Sequence, residues 1–177
     1  MRKPFSRAFP QASAGRLPVQ VAAVCYRVRE FSLEFLLVNT TAGKWTFPKG
    51  RIDADLSASE SAAREALEEA GAKGRIAEEH FATYLDTKRA FGRENRVREI
   101  CIAAYLFEVR STARPEEGDR NPTWFNPQEA QERLAERRAP KYANGLARIV
   151  DAAVDRVQSS SLSLRGPARS QRAIAQR

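Results

Sequence analysis

Three glutamates, Glu65, Glu68 and Glu69, stand at i, i+3 and i+4 within the segment 57–71. On a helix this spacing places all three carboxylates on one face, within about one and a half turns. Ala62, Ala63, Ala66, Leu67 and Ala70 occupy the remaining sectors and can pack inward. Like charges this close repel one another, so the cluster costs stability unless cations neutralise it. A hard divalent ion with oxygen ligands does so well. The plainer alternative is a solvated face carrying Glu60 to Arg64 and Arg64 to Glu68 pairs, each contributing about 0.2–0.5 kcal/mol.

The residues just before the helix favour the metal reading. Trp45-Thr46-Phe47-Pro48-Lys49-Gly50 is a short aromatic run that ends in proline and glycine. Gly50 lets the backbone turn sharply, and its carbonyl can add a metal ligand. Lys49 and Arg51 beside it supply positive charge for phosphate oxygens. Together these residue types suit a metal site beside phosphate oxygens. Metal ions neutralise charge on a polyphosphate and lower the pKa of a bound water, and a nearby carboxylate takes the proton.

The elements that must hold this cluster are legible around it. Ser57 followed three residues later by Glu60 forms a capping-box pattern, and Gly71 is placed to end the helix. Asn126, Pro127 and Glu129 repeat the start signal, with proline at the first helical position. A last helix is expected from near Pro140, with Tyr142, Leu146, Ile149, Val150, Ala153, Val154 and Val157 on one stripe that reads as core packing. Residues 19–28, 33–38, 76–87 and 97–109 are rich in β-branched and aromatic side chains and are expected as strands of a mixed sheet. No internal repeat is present.

The segment from Gly50 to Ala72, GRIDADLSASESAAREALEEAGA, resembles the Nudix box, G-x5-E-x7-R-E-U-x-E-E-x-G-U with U a bulky aliphatic residue. Gly50, Arg64, Glu65, Glu68, Glu69 and Gly71 match in register without insertion or deletion. The resemblance implies an α/β/α Nudix sandwich with a mixed central sheet, and a metal-dependent pyrophosphohydrolase. It further implies that Glu65 and Glu69, with the Gly50 carbonyl, hold Mg²⁺ or Mn²⁺, that Glu68 activates the attacking water, and that Arg64 orients a glutamate from behind. Two features depart from the pattern. Leu56 stands where the box has its first glutamate, and Ala66 and Ala72 are small where aliphatic bulk is usual. Asp53, Asp55 and Glu60 are the nearby acids that can compensate for Leu56, though none is in register.

Flanking residues address the substrate. Phe47-Pro48-Lys49-Gly50, the Ala70-Gly71 pair with Lys73-Gly74, and Arg114-Pro115-Glu116 leading to Trp124-Phe125 and Glu129-Ala130 resemble the diphosphoinositol polyphosphate and diadenosine polyphosphate phosphohydrolase branch. This likeness runs over residues 19–150. Such a substrate calls for several cations about one cleft. Lys44, Lys49 and Arg51 flank the box, and Lys88, Arg89, Arg93, Arg96 and Arg98 cluster around a turn expected at Gly92. Arg137, Arg138 and Lys141 form a second basic group. His80, Trp45 and Trp124 read as surface or packing residues rather than chemistry.

Net charge narrows the partners. The chain of 177 residues carries 30 basic and 22 acidic residues, a formal net charge of +8. Eight of the basic residues lie in the acid-free ends, 1–18 and 158–177, so residues 19–157 balance at 22 against 22. Attraction to RNA is therefore expected only from the ends, both of which read as flexible basic tails around one domain at 19–157. The N-terminal end also has the composition of an organelle transit peptide. Removal of an RNA 5′ pyrophosphate is one alternative activity; a phosphate-ligand binding module that has lost turnover, motivated by Leu56, is another. No run approaches the roughly 18 apolar residues of a membrane span, and a cytoplasmic location is expected. Cys25 and Cys101 fall in strand-like runs, where a free thiol acts as a small hydrophobe.

Overall fold

The computed structural model describes residues 17–30, 32–89 and 96–164. Among these residues eight strands form one mixed sheet: β1 (Gln20–Arg29), β2 (Ser32–Asn39), β3 (Trp45–Thr46), β4 (Lys49–Arg51), β5 (Ala72–Ile76), β6 (Ala82–Arg89), β7 (Val97–Thr112) and β8 (Thr123–Phe125). Helix α1 (Ala58–Ala70) covers one face, and α2 (Pro127–Ala135) with α3 (Pro140–Leu164) covers the other. This is the expected α/β/α sandwich.

The period-two alternation of the strands sorts their side chains between the two faces. Ala22 and Val24 of β1, Phe35 and Leu37 of β2, and Ile102 and Ala104 of β7 pack under Leu134 of α2 and Leu146, Ile149, Val150 and Ala153 of α3. Their neighbours Val21, Ala23, Cys25, Leu36, Val38, Ala103, Tyr105 and Phe107 pack under Ala62, Ala66 and Ala70 of α1. Small residues at every fourth position let α1 lie close to the sheet, while Tyr105 and Phe107 supply volume from below. The buried Ala66 and Ala72 thus leave a packed interface in place of the usual aliphatic bulk.

Central β1 runs parallel to β7, and every other pairing is antiparallel. Along its other edge β1 is shared: its first residues pair with β4 and its last with β2. That division leaves β4 beside the start of β1, where Gly50 lies against Glu65 of α1. The outer edge of β7 is shared in the same way, by β6 and then β5. The single strand expected at 76–87 is therefore two. Ala77 N–H donates to Leu106 O and Phe81 N–H to Ala104 O, so four steps of one chain span two of the other, and exposed Glu78, Glu79 and His80 loop outward.

Both capping boxes form as the spacing predicts, Ser57 with Glu60 and Asn126 with Glu129. Gly71 ends α1 in the left-handed conformation, φ +63°, and a Cβ there would lie 2.0 Å from Ala113 O. α3 continues to Leu164, past the boundary expected at residue 158. Cys25 and Cys101 are free and buried, as expected. Gly92 and Arg93, and residues 1–16 and 165–177, lie outside the described residues.

Candidate active site

The carboxylates owe their position to the elbow between β4 and α1. Leu56 N–H donates to Asp53 O at 3.3 Å, and Ser61 Oγ accepts the Asp53 N–H at 3.0 Å while donating to Ser57 O. These bonds tie the first turn of α1 to the end of β4. Glu65 and Glu69, one turn apart, then face the strand. Glu69 is buried, 4% exposed, and its Oε2 accepts the Lys49 backbone N–H at 3.1 Å. Glu65 is packed so closely on Gly50 that a Cβ there would lie 1.8 Å from its Oε1. Only glycine leaves room for that carboxylate.

Burial sets the electrostatics of this pair. It pushes the Glu69 carboxyl up to about 7, against the lowering influence of Arg120 and the Lys49 N–H, with Glu65 and Glu117 adding to the rise. Burial also raises Glu65, reinforced by Glu68 and Glu117. The ionised forms are therefore short of positive charge, the condition a bound cation relieves.

Glu68 points elsewhere on the same face. Its Oε1 accepts from Arg64 Nε at 2.6 Å, and Arg64 Nη1 donates to Asp53 Oδ2 at 2.5 Å. Arg64 thus links Glu68 to the elbow. Of the three acids considered as substitutes for Leu56, Asp53 reaches the site through Arg64, Asp55 donates its N–H to Asp53 Oδ1, and Glu60 is used by the cap. Leu56 itself is half-buried in the turn.

Two residues come to the site that spacing in the sequence did not single out. Arg120 Nη2 lies 3.0 Å from Glu69 Oε1, and its Nε pairs with Glu117. Both belong to the strap between β7 and β8, which is laced to the end of α1 by Ala113 N–H to Gly71 O and Glu117 N–H to Glu68 O. About forty residues separate the strap from the box, which ends at Ala72, and no local pattern connects them. The only hint was the motif at Arg114-Pro115-Glu116.

The phosphate-binding candidates divide. Lys49 is half-buried on the opposite face from Gly50, where burial lowers its pKa and Asp86 and Glu69 oppose that shift. Lys88 is near enough to Lys49 to be felt electrostatically, and it lies across the β6–β7 ladder from Arg98. Arg51 is exposed at the end of β4, Arg89 is exposed at the end of β6 and Arg96 just before β7, and Lys44 closes the turn at residues 40–44. Of the second basic group, Arg138 is buried. It donates to Trp45 O and Leu134 O and faces Asp86 at 3.5 Å. Lys141 pairs with Glu99, and Arg137 donates to Ala42 O. His80 is exposed and edge-on to Tyr105, and Trp45 packs edge-on against Phe125.

Among the described residues, no three acidic, histidine or cysteine side chains converge as a ready-made cage; Glu68 is turned toward Arg64 and Glu69 toward Arg120. The donor set nonetheless suits a hard divalent ion. Two carboxylates one turn apart rest against the same strand, one in a recess that a Cβ would fill, and burial raises the pKa of both even with Arg120 on Glu69.

Known proteins share this arrangement of elements. The structure resembles an Ap4A hydrolase of C. elegans in a binary complex, with 17% identity over 79% of this chain and 97% of that one, and a TM-score of 0.58. It also resembles the NUDIX domain of Shewanella oneidensis NrtR complexed with ADP ribose, with 20% identity, coverage of 85% and 94%, and a TM-score of 0.55. A Bacillus subtilis pyrophosphohydrolase gives 19% identity, coverage of 90% and 87%, and a TM-score of 0.52. At such identities the likeness speaks for the fold. The family model described as NUDIX domain matches residues 18–147, which takes in the elbow, the acidic helix and the strap, and the chain belongs to the Nudix family of hydrolases.

Proposed function

We propose that the chain is a divalent-metal-dependent pyrophosphohydrolase acting on a small polyphosphorylated substrate of the diadenosine polyphosphate or diphosphoinositol polyphosphate type. The observation that carries this reading is the lodging of Glu65 and Glu69 against Gly50 and Lys49. Glu65, Glu69 and the Gly50 carbonyl would hold Mg²⁺ or Mn²⁺. When bound, the ion supplies charge neutralisation for the phosphates and acidifies water.

The chain's own groups do the rest. Glu68 accepts a proton from the attacking water at Oε2, the oxygen that Arg64 does not engage. The water oxygen bonds to phosphorus, the bridging P–O bond breaks, and the leaving phosphate departs with its electron pair. Arg64, anchored on Asp53, keeps Glu68 from swinging toward Glu65. Lys49 and Lys88 draw the polyphosphate across the sheet edge, with Lys44, Arg51, Arg89, Arg93 and Arg96 as the further cations of the cleft.

The decisive experiment is a substrate panel with Mg²⁺ or Mn²⁺: a diadenosine polyphosphate, a diphosphoinositol polyphosphate and RNA with a 5′ triphosphate. Phosphate release from the first or second, cut roughly 100-fold or more by Glu68→Gln, supports the proposal. Binding without turnover for every metal identifies a binding module instead. The basic ends favour the RNA reading as the alternative. Because α3 runs to Leu164, the test of that reading removes residues 1–18 and 165–177, which should abolish RNA turnover only if RNA is the substrate.

A further inference from the structure

A groove of about 280 Å³ opens beside the strap, lined among others by Arg27, Arg29, Arg110, Ser111, Thr112 and Trp124. None of its lining residues is acidic. That is a local excess of positive charge in a stretch, 19–157, whose charges otherwise cancel. The groove is built from strand ends. Arg27 and Arg29 close β1, Ser111 and Thr112 close β7, and Trp124 is the centre of β8. Lys73 lies opposite Ser111 in the β5–β7 ladder and adds a cation at the rim.

Arg27 is held in place. Its guanidinium stacks over Trp124, 3.9 Å from the ring centroid, and its Nε pairs with Glu34 at 2.6 Å. Planar guanidinium groups that are already oriented recognise phosphate oxygens with little further loss of entropy. Arg29 and Arg110 are exposed and face solvent water, which an anion can displace. Serine and threonine hydroxyls complete a set of donors suited to phosphate.

We propose that this groove is a second, non-hydrolytic site for an oligophosphate anion. It is separate from the acidic helix, which binds through carboxylates and metal. The two are nonetheless mechanically joined, because the walls at Thr112 and Trp124 are the two anchors of the strap that delivers Glu117 and Arg120 to Glu69. An anion seated on the stacked Arg27 and Trp124 therefore bears on one end of that strap.

The test uses the full chain with a chelator present, so that binding is read without turnover and a failure here is distinguishable from failure of the hydrolytic reading. In a Trp45→Phe background Trp124 is the single tryptophan and reports on the groove. Inorganic tripolyphosphate should change its emission saturably, and Arg29→Ala with Arg110→Ala should weaken that binding about tenfold or more. Lys49→Ala, in the hydrolytic cleft, should leave it unchanged. ATP compared with tripolyphosphate distinguishes a nucleotide ligand, which binds more tightly, from an inorganic one, which binds equally. Unchanged affinity in the double arginine variant, or loss of the signal in Lys49→Ala, overturns the proposal.

Discussion

Arg120 and Glu69 form an ion pair at 3.0 Å across an interface that joins the strap to the acidic helix. The arginine stands on the carboxylate proposed as a metal ligand and holds Glu117 with its other edge. A guanidinium and a divalent ion cannot both neutralise the same oxygen in full. Cation binding at Glu69, as proposed, would therefore be coupled to the position of the strap.

Arg120→Ala should make the metal-free protein less stable by about 1–3 kcal/mol, because a buried carboxylate loses its partner. The same variant should gain more stability from added Mn²⁺ than the native chain does. Thermal unfolding with and without Mn²⁺ checks both. An equal metal-induced shift in the two proteins refutes the competition.

Glu69 makes stability depend on pH. Its folded pKa, about 7, is raised above the ordinary 4.5. The folded state therefore binds more protons than the unfolded state between these values. By linkage, stability falls as pH rises through that window, by an amount on the order of 2 kcal/mol. Denaturant unfolding of the metal-free chain from pH 4.5 to 8 should show this decline, and Glu69→Gln should flatten it. A stability that increases across the window contradicts the assignment.

Two glycines should respond differently to alanine. At Gly50 the new Cβ meets the end of a side chain, Glu65 Oε1 at 1.8 Å, which can swing away. Folding should survive, with kcat/KM falling about 100-fold or more as the carboxylate leaves its recess. At Gly71 the Cβ meets backbone, Ala113 O at 2.0 Å, from a left-handed φ of +63°. Gly71→Ala should instead lower stability by about 2–4 kcal/mol. Circular dichroism melts and steady-state kinetics on both variants separate the two outcomes.

Arg138 and Asp86 are buried partners on the other face, 1% and 6% exposed. Arg138→Met should cost about 3–5 kcal/mol by stranding the aspartate. Adding Asp86→Asn should recover part of that loss, since the remaining group is then neutral. Chemical denaturation of the single and double variants measures the recovery; a double variant less stable than Arg138→Met argues against coupling.

What the residues announced by themselves was local. Helix α1, its capping box, its glycine stop and the shared face of Glu65, Glu68 and Glu69 all follow from spacings of three and four, because a helix returns to the same face at that interval. The stripe of α3 follows from periodicity in the same way. Hydrogen bonding between distant segments decided the rest. Splitting of the strand expected at 76–87 depends on which residues of β7 are left unpaired, a matter of register. Arg120 and Glu117 meet Glu69 only because the strap is bonded to Gly71 and Glu68. The face on which Lys49 lies, away from Gly50 and toward Asp86, was likewise settled by the pairing of β4 with β1. Contacts within one turn are encoded by neighbours in the chain, whereas those between elements arise when separate hydrophobic faces find a common sheet.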